Sequence, residues 1–145
     1  MKGRRANKIG AFGLALVFAF IGLINYVDAA DNNIGYEFKL QPHYKNSYTE
    51  IEYRQTKNVN NKWKVNMVYS AEGKGTIATY WLNRPYLFNT TERVSAVHDV
   101  KQGSGAHYYK AYKKASQEWV NLGAENNNDT AKSYKVSGYW DEETK

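Results

Sequence analysis

The chain contains no cysteine, and this absence removes several chemistries at once. Disulfide bonds, a thiol nucleophile and a lipid-modified cysteine are all impossible, so a lipoprotein anchor and cysteine catalysis are excluded. Proline is scarce as well, and Pro42 and Pro85 both stand between periodic segments. Beyond residue 30 the chain shows no helical period, no internal repeat and no linker-like stretch. We therefore expect one domain that is held together by its core alone.

The N-terminus has the layout of an export signal. A cationic start is followed by an unbroken run of apolar and small residues from 9 to 24. Val27 and Ala29 then fit the −3 and −1 positions of a cleavage site. We predict a signal helix in a signal peptide over residues 1–29, cut after Ala29, and a secreted domain over residues 30–145. The alternative is an uncleaved anchor, although the run is shorter than the ~20 residues of a spanning helix.

Charge must be counted without this leader. Residues 30–145 hold 16 Lys and Arg against 13 Asp and Glu, which is a net charge of +3. Such a mild excess favours weak attraction to anionic walls or lipids. It does not indicate a nucleic-acid partner, because those domains usually carry a concentrated basic surface.

Hydrophobic residues alternate with polar ones along most of the chain. The pattern is clearest at residues 34–40 and 63–69, where every second residue is large and apolar. Alternation of this kind is typical of a strand with one buried and one wet face. We predict an all-β fold, a small antiparallel β-sandwich of seven or eight strands. The strand-like runs are residues 34–40, 51–53, 63–69, 76–82, 106–112, 116–122 and 133–140, whereas residues 84–100 are hard to read.

Two details sharpen this prediction. Residues 76–82 carry apolar side chains on both faces, which favours a central strand that buries both Tyr80 and Trp81. The preceding Glu72-Gly73-Lys74-Gly75 predicts a hairpin turn, because glycine supplies the positive φ that such turns need.

Five segments together resemble a known family. They are YRQTKN at 53–58, YSAEGKGT at 69–76, DVKQGSGA at 99–106, GAENNN at 123–128 and SGYWDEET at 137–144. Their order and spacing are similar to those of the DUF2712 group of small secreted bacilli proteins. The resemblance implies an exported β domain, and it brings no activity, ligand or catalytic residue. The overall plan is also similar, more loosely, to the lactococcin 972-like bacteriocins, which act outside the cell on wall synthesis.

Metal sites are not predicted. His43, His98 and His107 lack the spacing of a zinc site. The oxygen-rich loop at residues 125–130, even joined by residues 141–143, has no EF-hand pattern, and Asn-rich loops are usually turns. We predict no metal and no cofactor.

Catalytic residues are not predicted either. Gly103-Ser104-Gly105 lacks the spacing of a nucleophile elbow. Neighbouring His98 and Asp99 would point to opposite faces of a strand. Acidic residues such as Glu118, Glu125 and Asp141 offer candidates for a glycosidase pair, but every acidic surface yields such pairs. The chain is therefore predicted to be non-enzymatic.

One stretch is a candidate binding surface. Tyr108 and Tyr109 are strand neighbours, so one of them must face away from the core. Lysines flank these tyrosines, which gives a basic, aromatic surface, although tyrosines also favour strands for structural reasons. The predicted contact residues are Lys101, Tyr108, Tyr109, Lys110, Tyr112, Lys113 and Lys114.

These observations predict a secreted, non-enzymatic interaction protein of the bacterial cell envelope, of a bacteriocin-like kind. Its expected partner is an anionic wall or membrane component, and the oligomeric state stays open. One alternative is a carbohydrate- or wall-binding module that uses exposed Trp and Tyr side chains as stacking platforms. Another is a small secreted hydrolase, for which no catalytic constellation is visible.

Overall fold

The computed structural model describes residues 32–86 and 91–145, so the predicted signal peptide and its cleavage site lie outside the described residues. Helical structure in the described part is a single 3₁₀ turn at Lys113–Ala115, and no described helix is long and apolar enough to cross a membrane. Ten strands form two antiparallel sheets, which confirms the predicted all-β sandwich. The strands are β1 (Ile34–Leu40), β2 (Ser47–Tyr48), β3 (Glu52–Arg54), β4 (Trp63–Ser70), β5 (Ile77–Pro85), β6 (Thr91–Arg93), β7 (His98–Lys101), β8 (His107–Tyr109), β9 (Glu118–Asn126) and β10 (Tyr134–Asp141).

The first sheet has the order β1-β10-β4-β8. Its first strand pairs with its last along the chain, from Ile34 opposite Trp140 to Leu40 opposite Tyr134. The register between β10 and β4 shifts between Ser137 and Gly138. Such a bulge increases the local twist of the sheet.

The second sheet is built around two long strands, β5 and β9, which pair from Ala78 opposite Asn126 to Asn83 opposite Asn121. Short strands complete both sides: β2 and β3 pair with β9, and β6 and β7 pair with β5. This sheet therefore has long central strands and short edge strands, which limits the exposed edge available for unwanted strand addition.

The core lies between the sheets and follows the alternation of the sequence. Trp63, Val65 and Met67 of β4 face Tyr80 and Leu82 of β5, and all five are fully buried. Alternate residues of each strand point inward, so burial of this one cluster stabilises the fold without disulfide bonds. A hydroxyl pair also joins the sheets, because the Tyr36 and Tyr80 Oη atoms are hydrogen-bonded at 3.0 Å.

The central position predicted for residues 76–82 is confirmed. Both Tyr80 and Trp81 are fully buried, although they point to opposite faces of β5. Trp81 lies on the outer face, where Arg93 covers its ring at 4.4 Å and Tyr48 packs edge-on at 6.3 Å. Gly123 on β9 makes this possible, because a Cβ there would come within 2.4 Å of the indole.

The seven predicted runs all contain a strand, and the predicted hairpin turn is present with Gly73 and Gly75 at positive φ. The run at residues 106–112 pairs with β4 only as far as Tyr109, and Ala111 then forms an isolated bridge with Ser95. Three short strands, β2, β6 and β7, were not predicted. Two of them lie in the hard-to-read residues 84–100, where the pairing partner rather than local pattern determines the strand.

Candidate functional site

The structure divides the predicted contact residues between two ends of the sandwich. Lys101 ends β7 opposite Ile77, whereas the carbonyl of Lys114 lies beside Arg84 near the other end of β5. Seven residues of strand separate these two positions along β5, which is roughly 23 Å. Lys101 is therefore not part of the same local surface as Lys113 and Lys114.

The two tyrosines of β8 point in opposite directions, as predicted. Tyr108 is 47% exposed, whereas Tyr109 packs against the core at Trp63. His98 stacks on Tyr109 with ring centroids 3.6 Å apart. Burial lowers the pKa of His98 and raises the pKa of Tyr109, so both rings are held neutral at physiological pH. Tyr109 thus has a packing role, and Tyr108 is the solvent-facing member.

The stretch that follows β8 is exposed but partly neutralised. Tyr112, Lys110 and Lys113 face solvent. Lys114 instead pairs with Glu92, and its hydrogen bond lowers the pKa of that carboxyl. Four of the seven predicted residues, Tyr108, Lys110, Tyr112 and Lys113, thus remain on one open ribbon.

Lys101 belongs to a different surface, which we call the basic end. It consists of four loops that meet at one end of the sandwich, at residues 41–46, 71–76, 101–106 and 127–133. Backbone hydrogen bonds link the loops in pairs, from His43 to Thr130 and from Gln102 to Thr76, and Ala71 bonds to Lys135 at the start of β10. Each loop carries one exposed lysine: Lys45, Lys74, Lys101 and Lys132.

The chemistry of the basic end is that of an anion site. Lys74 and Lys101 line a groove of about 410 Å³ together with Gly75, Gln102 and Gly103. The glycines at positive φ keep this groove free of side chains, so an anion can approach the backbone. Two exposed acids lie at this end, Glu72 and Asp129, and His43 already bonds Asp129 at 2.7 Å.

Ser104 and His107 form a pair that the sequence did not suggest. The Ser104 Oγ lies 2.7 Å from the His107 Nε2 and 2.6 Å from the Lys101 carbonyl oxygen. A carbonyl can only accept, so the serine proton points at Lys101 and the imidazole donates to Oγ. That direction is opposite to the one a general base needs, and the pair shapes the loop instead of activating a nucleophile.

The acids considered at the sequence level lie apart, each beside its own cation. Glu118 pairs with Arg84 at 3.2 Å, and Glu125 approaches Arg93 at 3.9 Å. Asp141 is fully buried, 3.8 Å from the Lys64 Nζ. The loop at residues 125–130 and residues 141–143 lie at opposite ends of the sandwich, and the described residues hold no cluster of three metal-ligating side chains.

A buried arginine fastens the end of the chain. Arg54 is completely buried and donates to the carbonyl oxygens of Glu142 and Asn61. The Glu143 carboxylate in turn accepts from the backbone N–H of Thr56 at 2.7 Å and of Gln55 at 3.3 Å. Burial lowers the pKa of Arg54, while the carboxylates of Glu143, Glu142 and Asp141 oppose that shift.

Sequence reasoning missed one exposed aromatic pair. Trp119 on β9 is 54% exposed and packs against Tyr53 of β3, directly opposite in register, with ring centroids 5.3 Å apart and ring planes tilted by 58°. A signal was available, because Val120 and Leu122 read as core residues and therefore place Trp119 on the outer face.

Comparisons with known proteins assign the family and leave the activity open. No curated protein matches the chain by sequence. Among solved structures it is similar to PirA, with a TM-score of 0.45 and 8% identity over 77% of this chain and 96% of that one. A family model described as "Protein of unknown function (DUF2712)" matches residues 19–144, which confirms the resemblance noted in the sequence. The chain therefore belongs to the DUF2712 family.

Proposed function

We propose that this protein is an extracellular, non-enzymatic binding domain that attaches through its basic end to an anionic component of the bacterial cell envelope. The observation that carries the proposal is the meeting of four loops, each with one exposed lysine, at one end of the sandwich. The predicted leader supports the location, because an exported domain meets the envelope first.

The distribution of charge supports this end over the ribbon at residues 108–114. Near the ribbon, Arg84, Glu92, Glu118 and Lys114 already neutralise one another through ion pairs. At the basic end the exposed lysines outnumber the exposed acids, and the Asp129 carboxylate already accepts from His43. A surface with unbalanced positive charge attracts polyanions and anionic lipids.

The geometry also suits a repeated anion. Lysine ammonium groups act as mobile point charges on long stems, so lysines on separate loops can contact successive phosphate or carboxylate groups. Tyr44 adds an amphipathic side chain to the same end, 49% exposed in a loop where its φ is positive. Tyrosine is favoured where one side of a surface is apolar and the other is wet.

The test compares two matched double variants of residues 30–145. Lys74→Gln with Lys101→Gln removes two charges from the basic end, and Lys110→Gln with Lys113→Gln removes two from the ribbon. Each lysine near an anionic surface contributes about 1 kcal/mol, so the first variant should bind vesicles with anionic lipid or isolated cell walls roughly thirtyfold more weakly. The second variant should bind like the native protein.

The dependence of binding on salt and on the type of surface distinguishes the possible outcomes. Native binding should weaken steeply as salt rises, because the screening length falls to about 8 Å at physiological ionic strength. Retention by vesicles alone would identify a membrane lipid, and retention by walls alone would identify a wall polymer. An equal loss in both double variants, or binding that ignores salt, would contradict the basic end as the site.

A further inference from the structure

The exposed pair on the outer face of the second sheet has features of a second binding site. Three of the four tryptophans, Trp63, Trp81 and Trp140, are fully buried, and only Trp119 is open to solvent. Tyr53 packs beside it with its ring tilted, and Ile51, two residues earlier in the chain, is 46% exposed. We call Ile51, Tyr53 and Trp119 the aromatic platform.

The platform contrasts with the other tryptophan on the same face. Arg93 and Tyr48 cover Trp81, and Gly123 leaves space for its indole ring. Trp119 has one aromatic neighbour in Tyr53 and keeps more than half of its surface in water. Neighbouring aromatic rings that face water offer a surface on which a flat ligand can pack.

Tyr53 lies on an edge strand of only three residues, yet the backbone there is tightly held. The neighbouring Arg54 is buried and bonded to the carbonyls of Glu142 and Asn61. On the far side, the Glu143 carboxylate binds the N–H groups of Gln55 and Thr56. The platform is therefore set before a ligand arrives, which reduces the entropy lost on binding.

The exposed area of the platform limits which ligands can bind there. Its two rings expose roughly 200 Å² in total, far below the ~800 Å² that each partner buries in a stable protein interface. A second copy or a folded protein would thus need much more surface than the platform offers. A pyranose ring fits, because its C–H face packs on an aromatic ring while its hydroxyls stay in water. We propose that the aromatic platform binds a saccharide ring of a cell-wall glycan, with Trp119 as the main stacking surface.

This inference goes beyond the proposed function, since it names a second site with a different chemistry. The platform lies beside Glu118 and Val120, at the start of β9, whereas the basic end lies where β9 finishes. A neutral sugar tested at high salt reports on the platform alone, because charge attraction at the basic end is then screened. The two proposals can therefore fail separately.

The experiment uses residues 30–145 in 0.5 M salt with three probes: tetra-N-acetylglucosamine, cellotetraose and peptidoglycan stripped of anionic polymers. Since the other three tryptophans are buried, a bound sugar should shift the emission of Trp119 and protect it from acrylamide. Calorimetry and retention on peptidoglycan then compare variants. Trp119→Ala should lose about tenfold or more in affinity, as is usual for a central aromatic contact.

Two further variants distinguish ring stacking from nonspecific hydrophobic contact. Trp119→Phe keeps a smaller ring and should retain part of the affinity, whereas Trp119→Leu keeps an apolar side chain without a ring and should not. Tyr69→Ala removes an equally exposed aromatic side chain from the first sheet and should bind normally. The proposal is overturned by no binding to any of the three probes, by an equal loss in Tyr69→Ala, or by a native dimer that dissociates in Trp119→Ala.

Discussion

Glu142 is a carboxylic acid that is only 8% exposed, and its Oε2 has no hydrogen-bond partner among the described residues. Burial raises its pKa, and the nearby charges of Glu143 and Glu52 add to that shift. Because the folded pKa lies above the unfolded value of ~4.3, the fold favours the protonated form. Stability from this group is thus complete below the unfolded pKa and is lost as the pH rises through the folded pKa.

Replacing Glu142 by glutamine should therefore stabilise the protein at neutral pH. Glu142→Gln keeps the shape and removes the charge, so its melting temperature should exceed the native value at pH 7. The two curves should converge near pH 4, where the native side chain is protonated as well. Thermal unfolding followed from pH 4 to 8 measures this difference, and a variant less stable than the native protein at pH 7 would contradict the reasoning.

Glu143, next to Glu142 in the chain, is the matched control, because its carboxylate stabilises the fold by accepting hydrogen bonds. It accepts from two backbone N–H groups, so Glu143→Gln exchanges one charged acceptor for an N–H₂ group that cannot accept. We expect a loss of about 1 kcal/mol at pH 7 in the same unfolding experiment. Opposite signs for adjacent glutamates would show that the surroundings, not the residue type, decide the effect.

His98 provides a second titration test. Burial beneath Tyr109 lowers its pKa, so its contribution to stability is present above the unfolded pKa of ~6.5 and is lost as the pH falls through the folded value. Proton NMR of the ring should show the lowered pKa directly. Tyr109→Ala removes the stacked ring and should return the pKa of His98 towards its ordinary value. An unchanged titration in that variant would mean that Tyr109 does not cause the burial.

The bulge in β10 depends on a glycine. A Cβ on Gly138 would lie 1.8 Å from the Asn66 carbonyl oxygen, whereas nothing lies within 4 Å of a Cβ on Gly35. Both glycines are in the same sheet, and Gly35 pairs with Tyr139 next to the bulge. Since backbone cannot move aside as a side chain can, Gly138→Ala should lower the free energy of unfolding by about 3 kcal/mol. Gly35→Ala should stay within about 0.5 kcal/mol in the same urea titration.

The strands that sequence alone predicts are those with a pattern of their own. Alternation identified β1 and β4, and a run with apolar side chains on both faces identified the centre of the second sheet at β5. The two or three residues of β2 and β6 show no alternation of large apolar and polar side chains. Their existence depends on neighbours that are distant in sequence, and so does the burial of Arg54, which reads as an ordinary surface cation.

At the level of the whole molecule, nearness in sequence was a poor guide to the binding surface. Lys101 and Lys110 are close along the chain, yet the segment that joins them runs from the basic end to the opposite end of β4. Lys74, in contrast, is distant in sequence from Lys101 and shares its groove. Strand alternation predicted that one of Tyr108 and Tyr109 would face solvent, while the basic end required the topology. Local pattern predicts which way a side chain faces, and only the fold determines which side chains meet.

The same topology makes folding depend on the last strand. β10 lies between β1 and β4, so the first described strand joins its sheet through the end of the chain. Arg54 likewise needs the carbonyl of Glu142 to be satisfied. A protein lacking residues 134–145 should therefore lack the β-sheet signal in circular dichroism and show no cooperative unfolding. Pairing between distant strands also predicts folding in milliseconds to seconds, as in other β-sandwiches.

Adding the missing strand as a separate peptide tests whether the shortened chain fails to fold because β1 and β4 have lost their partner. If the shortened chain lacks only the partner of β1 and β4, a peptide of residues 134–145 should restore the sheet signal in a concentration-dependent way. The same peptide with Gly138→Ala should not, because its Cβ meets the Asn66 carbonyl oxygen. A shortened chain that unfolds cooperatively by itself would instead show that β5 and β9 form an independent unit. The sandwich would then be two separable sheets, and the core between Trp63 and Leu82 would not be what couples them.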